Sequence, residues 1–265
     1  MISIIISSYR PNYFEQLQSN IQDTIGEIKY EIIKIHNPGL ISLNSAYNCG
    51  ARKSKFEYLL FLHEDILFLS NNWGKEIIRV LTDKSIGVVG VAGNEKKFWL
   101  PTGCETGIPK YRHVYVTHSP KKGIQNSHVK DPIKVRTLDG VFMAVRKSVW
   151  YEIKFDEKLG GFHFYDLDFS IRVGQHYQNL VLPAIRLQHF SLGNFGEDWI
   201  RRNLKFHKGN YDFDKPTTEE KIRIRIFWYT RLLKEKISSI TKLRYIGKMG
   251  MGKFTWKYAL RFLMK

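Results

Sequence analysis

Three polar clusters in this 265-residue chain carry residue types able to do chemistry. Phe61-Leu-His-Glu-Asp65 closes an apolar run on two adjacent acids, Glu64 and Asp65. Gly160-Gly-Phe-His-Phe-Tyr-Asp-Leu-Asp168 sets Asp166 and Asp168 behind two glycines and several aromatics. Leu187-Gln-His-Phe-Ser191 ends a third short apolar segment near His189. Carboxylates in such places can accept a proton or hold a hard divalent cation. Each cluster also has a plainer reading. The acid pair suits a solvated loop, and a lone histidine is ordinarily a core or surface residue. Asp166 and Asp168 suit a helix start, where capping and the helix dipole are worth at most about 1 kcal/mol each.

The segments around these clusters alternate between strand-like and helix-like patterns. Ile2–Ser7 is a continuous apolar run, followed by Tyr9-Arg-Pro-Asn and an amphipathic stretch to about Ile25. Glu31–Ile35, Tyr58–Leu62 and Ile86–Val91 read as further strands, and Leu43–Lys53, Trp73–Leu81 and Tyr165–Val173 as helices. Val135–Leu138 and Val141–Val145 flank Asp139-Gly140. Short β-rich runs between periodic helices argue for a parallel, doubly wound α/β sheet covered on both faces. Ligands of such sheets gather at the carboxyl ends of the strands. That rule singles out Ser7-Ser8-Tyr9, His36-Asn37 and His63-Glu64-Asp65. Between Ala92 and Asp131 a Gly-, Pro-, Lys- and His-rich stretch is too long for an ordinary connection; such segments are usually functional, as a lid is, or partly disordered.

The sequence is strongly basic, with 42 Lys+Arg against 25 Asp+Glu and a net charge of +17. At 43% apolar and 14% aromatic residues it can still bury a sizeable core, which excludes a disordered basic tail protein. No GxGxxG, Walker or CxxC pattern occurs, so dinucleotide, P-loop and zinc-ribbon readings have no support. No run approaches the roughly 18 apolar residues of a membrane span. The opening Met1–Arg10 has neither the basic leader nor the cleavage site of a signal peptide. The expectation is a cytoplasmic protein in which Cys49 and Cys104 are reduced thiols.

Lys221–Lys265 holds 13 Lys+Arg against Glu235 alone, a net +12, which leaves +5 for the rest of the chain. The composition changes at Pro216-Thr-Thr-Glu-Glu220, which also reads as a helix start. The expected division is therefore a main domain over 1–215 and a basic amphipathic helical extension over 216–265. In the last stretch Lys253, Lys257, Arg261 and Lys265 recur every four residues beside Phe254, Tyr258 and Phe262. Such a helix suits an anionic membrane surface, each nearby cation contributing about 1 kcal/mol. Packing of the aromatic stripe on the main domain is the alternative. Nucleic acid is not expected as a partner, since no aromatic-basic RNA motif accompanies the charge.

Taken in order, five segments resemble the GT-A glycosyltransferases of family 2, in the bacterial branch linked to capsule and surface-polysaccharide synthesis. Ile2-Ser-Ile-Ile-Ile-Ser-Ser-Tyr9 is similar to that family's opening strand, and Leu43-Asn-Ser-Ala-Tyr-Asn-Cys-Gly-Ala-Arg52 to its Ala-x-Asn-x-Gly helix, here Ala46, Asn48 and Gly50. Tyr58–Asp65 resembles the strand that delivers an Asp-x-Asp motif, with His63 in the first acidic position. Asp139–Arg146 resembles the acceptor-side segment, and Tyr165–Arg172 the Glu-Asp-x-Asp-x-x-x-Arg helix, with Tyr165 in place of the glutamate. The resemblance covers about Met1–Ser191. It implies a GT-A fold, a mixed sheet flanked by helices.

What the resemblance implies for the site is specific. Ser8, Tyr9, Asn37, Asn48 and Asp65 would hold a nucleotide-sugar donor, with UDP the expected nucleotide. Asp65 and His189 would hold Mn²⁺ or Mg²⁺, the histidine tilting the choice toward Mn²⁺. Asp166 would act as the catalytic base of an inverting displacement by an acceptor hydroxyl, on a growing glycan or a polyprenyl-linked carrier. Asp139, Gly140, Asp168 and Arg172 would serve the acceptor side or support Asp166. The expected location is the cytoplasm, peripheral on the inner face of the membrane. A non-catalytic module of the same fold that binds glycan or lipid headgroups is the competing reading, because the acidic motif is altered.

Overall fold

Continuous β-branched and aliphatic runs become strands in the computed structural model, which describes residues 1–118, 131–191, 193 and 195–250. The chain begins β1 (Ile2–Ser8), α1 (Pro11–Thr24), β2 (Tyr30–His36), α2 (Leu43–Lys53), β3 (Tyr58–Leu62), β4 (Ile66–Phe68), α3 (Trp73–Leu81), β5 (Ile86–Gly90) and β6 (Ala92–Asn94). It continues through β7 (Arg112–Val114), β8 (Val116–Thr117), β9 (Ile133–Val135), β10 (Thr137–Leu138), β11 (Phe142–Arg146), α4 (Lys147–Ile153), α5 (Tyr165–Val173), β12 (Gln178–Val181) and β13 (Leu187–His189). Three helices follow, α6 (Glu197–Phe206), α7 (Thr218–Lys234) and α8 (Ser239–Met249).

The main sheet has seven strands in the order β2-β1-β3-β11-β5-β12-β9. It is buried on both faces, so its strands alternate between two cores. Ile4, Ile6, Leu60 and Leu62 point into one; Ile5, Leu59 and Phe61 point into the other. The sheet is mixed, as the GT-A resemblance implied, and not the wholly parallel sheet that the alternation alone suggests. β1 runs parallel to β2 and β3, while β11 runs antiparallel to β3 and β5. The cause is the route of the chain. After β5 it leaves at the carboxyl edge, makes the excursion from residue 91 to residue 141, and re-enters at that same edge, where Phe142 pairs with Leu62 and Met143 with Gly90. A strand re-entering there can only run back. Asp139-Gly140-Val141 is thereby set beside the ends of β3 and β5.

Helix α2 shows why an Ala-x-Asn-x-Gly pattern suits its place. A Cβ on Gly50 would collide with the Ile5 side chain, so glycine lets α2 close on β1. Ala46 is fully buried on the same helix.

The chain forms two compact units, one of residues 1–95 and 113–192, the other of residues 96–112 and 193–265. The division does not follow the expected boundary at 215/216. Thr217 does begin a helix, with a capping box in which its hydroxyl accepts from the Glu220 N–H and the Glu220 carboxylate accepts from the Thr217 N–H. A helix start is a local event, and this one lies inside the second unit. The second unit has its own core of Phe98, Leu100, Ile108, Ile200, Ile224, Trp228, Leu232 and Tyr245. The proposed lid is split accordingly: residues 96–112 join the second unit, β6 and β8 pair within the first, and 119–130 lie outside the described residues. The stripe of Phe254, Tyr258 and Phe262 also lies outside them. Cys49 and Cys104 are both free thiols.

Candidate active site

The first unit gathers its polar residues at the carboxyl edge of β1, β3 and β5. Just past β3, His63 and Asp65 meet His189 from the end of β13, each offering one ligand atom, and the three atoms lie within 4.8 Å of one another. β13 pairs antiparallel with β4, placing His189 opposite Ile66 and so beside Asp65. His189 Nε2 stands 3.2 Å from Asp65 Oδ1 and 3.1 Å from Ser191 Oγ. Burial alone would raise the Asp65 carboxyl. The hydrogen bond and charge of His189, helped by His63 and Ser191, instead hold it at about 2. Burial, then the neighbouring His189, pushes the His63 imidazole below its usual value, favouring the neutral form that ligates metals. Two imidazoles and a carboxylate, all partly exposed, make a donor set able to hold a divalent cation.

A hydrogen bond ties this group to the second acidic cluster. His63 Nε2 and the Tyr165 hydroxyl are 2.9 Å apart. Tyr165 begins α5, so the two positions that depart from the family pattern are partners of each other. Gly140 explains how the tyrosine fits: any Cβ there would collide with the Tyr165 hydroxyl. The Gly140 N–H also donates to Asp166 Oδ2 at 3.0 Å, and Asp139 Oδ1 accepts from the Val141 N–H at 3.0 Å to close the turn. Asp166 is half-buried in the first turn of α5. Burial first, and the nearby Asp139 charge second, raise its carboxyl to about 7 against the pull of the backbone N–H groups that bond it. A carboxylate poised there can accept a proton near neutral pH. Phe164, which caps α5, has a φ of +69°, a left-handed conformation costly for an aromatic residue and held by the surrounding packing.

The remaining expected residues divide. Tyr9 is exposed at the end of β1, with the Arg10 guanidinium 4.9 Å above its ring. Ser8 Oγ is buried and makes no hydrogen bond among the described residues. Asn37 and Asn48, expected to hold the donor, are spent on the protein. The Asn37 amide bonds Ser7 Oγ, Ile41 O and Ile41 N–H, closing the loop before α2. Asn48 donates to Phe155 O and Glu157 Oε1 and accepts from Trp150 Nε1 and the Phe155 N–H, which exhausts its amide. Asp168 is 2% exposed and binds Arg172 through Oδ2, while Arg172 also donates to Ile153 O and Lys154 O. That pair fastens α5 to the end of α4 and leaves Asp168 little room for an acceptor.

Sequence reasoning missed what Glu64 holds, His118 and the bond that Tyr165 makes. Glu64 Oε2 accepts from the N–H groups of Tyr9 and Arg10 at 3.2 and 3.1 Å, fixing the end of β1 from the end of β3. Its burial was hidden because its neighbours His63 and Asp65 carry the motif. His118 Nδ1 lies 3.1 Å from the His189 carbonyl, a backbone contact that no side-chain pattern announces.

The model of the "Glycosyltransferase like family" matches residues 3–210, and the chain belongs to that family. No curated protein matches the sequence. Among solved structures, GalNAc-T7 with UDP, GalNAc and Mn²⁺ is similar at a TM-score of 0.53 and 12% identity, covering 97% of this chain and 56% of that one. This chain thus spans little more than half the length of GalNAc-T7. S. aureus TarS in complex with UDP gives a TM-score of 0.53 at 12% identity, over 94% of this chain and 79% of TarS. The mannosyltransferase PcManGT from Pyrobaculum calidifontis, with GDP-Man and Mn²⁺, gives 0.52 at 12% identity over 99% and 84%. At such identities the likeness establishes the GT-A fold.

Proposed function

We propose that this member of the glycosyltransferase-like family is an inverting enzyme that moves a sugar from a nucleoside-diphosphate donor, a UDP-sugar in our reading, to a hydroxyl of a growing surface glycan or lipid-linked acceptor. The observation that carries the reading is the hydrogen bond between His63 and Tyr165, which sets a His63, Asp65 and His189 ligand group next to a helix whose second residue is Asp166. His63, Asp65 and His189 would hold Mn²⁺ or Mg²⁺, which when bound offsets the charge growing on a departing diphosphate. Asp166 accepts the proton of the attacking hydroxyl, with Gly140 N–H keeping its carboxylate in place. Asp168 and Arg172 act through Asp166 by fastening α5. Tyr9, exposed at the end of β1, supports a stacking contact with the nucleotide base. Bound UDP in TarS and GalNAc-T7 favours a uridine donor, while PcManGT with GDP-Man keeps guanosine in the screen.

Residues 221–265 are read as attaching the protein to an anionic membrane surface near a lipid-linked acceptor, on the strength of 13 cations against one acid. Among the described residues no helix is long and apolar enough to cross a membrane. The deciding experiment is a hydrolysis and transfer screen of the purified protein with UDP-, GDP- and dTDP-sugars in Mn²⁺ and in EDTA. Metal-dependent turnover of one donor class is expected. Metal-independent donor binding without turnover of any of them would favour the non-catalytic reading.

A further inference from the structure

The outward face of α8 carries exposed aliphatic and cationic side chains together. Ile240 is 65% exposed and Leu243 is 52% exposed. With Arg244 and Gly247, also exposed, they stand at i, i+3, i+4 and i+7 and so form one stripe. The opposite stripe, Thr241, Tyr245 and Met249, is buried, with Tyr245 and Met249 in the core that also contains Trp228 and Tyr229. Lys236 and Lys248 are exposed on the flanks. From Lys236 to Lys265 the sequence has eight Lys+Arg and no Asp or Glu. Glu197 is bonded to this helix at its N-cap, where it accepts from Ser238 Oγ and Thr241 Oγ1. The nearest acid in sequence, Glu235, caps the end of α7.

We propose that this face of α8 docks on an anionic lipid bilayer. Ile240 and Leu243 enter the boundary between headgroups and acyl chains, and Lys236, Arg244 and Lys248 meet lipid phosphates. The inference rests on the membrane reading of residues 221–265 and assigns it to a particular face, one that the sequence pattern at Lys253–Lys265 did not pick out. Two other occupants fit less well. A second copy related by two-fold symmetry would bring the same cations against each other. A nucleic acid would use the cations but has no use for two aliphatic side chains, and the stripe offers no aromatic ring for a base to stack on. An acidic bilayer matches both halves, taking up apolar surface and attracting Lys and Arg.

The test uses the full-length protein in flotation with phosphatidylcholine vesicles, with and without phosphatidylglycerol. Binding is expected only with phosphatidylglycerol, weakening as salt rises. The Ile240→Ser/Leu243→Ser variant should bind about ten-fold more weakly at an unchanged melting temperature, because both side chains already face water. Leu40→Ser, equally conservative in kind at an 82%-exposed site of the first unit, should bind like the parent. Parent-like binding by the double variant would overturn the assignment to α8 while leaving the broader membrane reading standing. No vesicle binding by the parent, with tight salt-sensitive binding to a polynucleotide, would overturn both.

Discussion

Each unit of the molecule holds an ionisable group driven to the same range by burial, and only one of the two is equipped to work. In the second unit Lys97 is fully buried and its ammonium is pushed down to about 7. Its three N–H bonds are all spent, on Thr102 O and Thr102 Oγ1 at 2.8 Å and on His207 Nε2 at 2.9 Å. His207, itself pushed well below its usual value by burial first and by Lys97 second, donates from Nδ1 to Asn203 O. In the first unit Asp166 is raised to about 7, also chiefly by burial, yet it remains partly exposed. A displaced titration therefore marks chemistry only where the group keeps an open side. Charge separates the units as well. The first has 20 Lys+Arg against 17 Asp+Glu and the second 22 against 8, net +3 and +14. The proposed chemistry belongs to the nearly neutral unit and the proposed surface attachment to the basic one.

The contrast is open to attack at several points. The largest effect is expected from Asp166→Asn, which should lower the transfer rate by about 10²–10⁴-fold with donor binding retained. The parent rate should rise with pH as Asp166 loses its proton near 7. Folded Asp166 keeps that proton up to about 7, whereas the unfolded chain releases it near 3.8, so this group makes the fold lose stability as pH rises between those values. The same variant should therefore melt higher than the parent at neutral pH, by calorimetry. An unchanged rate would remove the first unit's claim to the chemistry.

Tyr165→Phe cuts the bond to His63 and should weaken Mn²⁺-dependent donor binding by about 10–100-fold, read by isothermal titration, while metal-free binding is unaltered. Gly140→Ala should destabilise the fold by about 1–3 kcal/mol through collision with the Tyr165 hydroxyl, and the Gly140→Ala/Tyr165→Phe pair should recover part of that loss in denaturant titrations. The smallest effect on turnover is expected from Lys97→Met. Folded Lys97 gives up its proton near 7 and the unfolded chain near 10.5, so the parent gains stability as pH rises across that window. The variant should lose that gain in melts at pH 7 and pH 10 and keep its transfer rate. A large fall in turnover would show the comparison of the two groups to be mistaken.

Much of the fold could be read in advance because its signals are local. Tyr58–Leu62, Leu43–Lys53, Trp73–Leu81 and Tyr165–Val173 form as the hydrophobic periods predict. The direction of β11 could not be read from its own residues, since a buried strand is apolar whichever way it runs; the re-entry of the chain at the carboxyl edge decides it. The same limit applies at the site. Asp65, Asp166 and His189 stand out by type and context, but the exhaustion of Asn48 depends on Trp150, Phe155 and Glu157, more than a hundred residues away.

The sequence by itself determined the longer strands and helices of the first unit, the basic composition of the C-terminal stretch and the kinds of group available for chemistry, because propensity, periodicity and charge are carried by each segment alone. Tertiary structure alone decided that His63 and Tyr165 are hydrogen-bonded, that Glu64 holds the end of β1, that Lys97 is closed while Asp166 is open, and that Ile240 and Leu243 face outward. Each of these depends on what a side chain meets across the fold, and long-range hydrogen bonds and burial have no counterpart in a single segment.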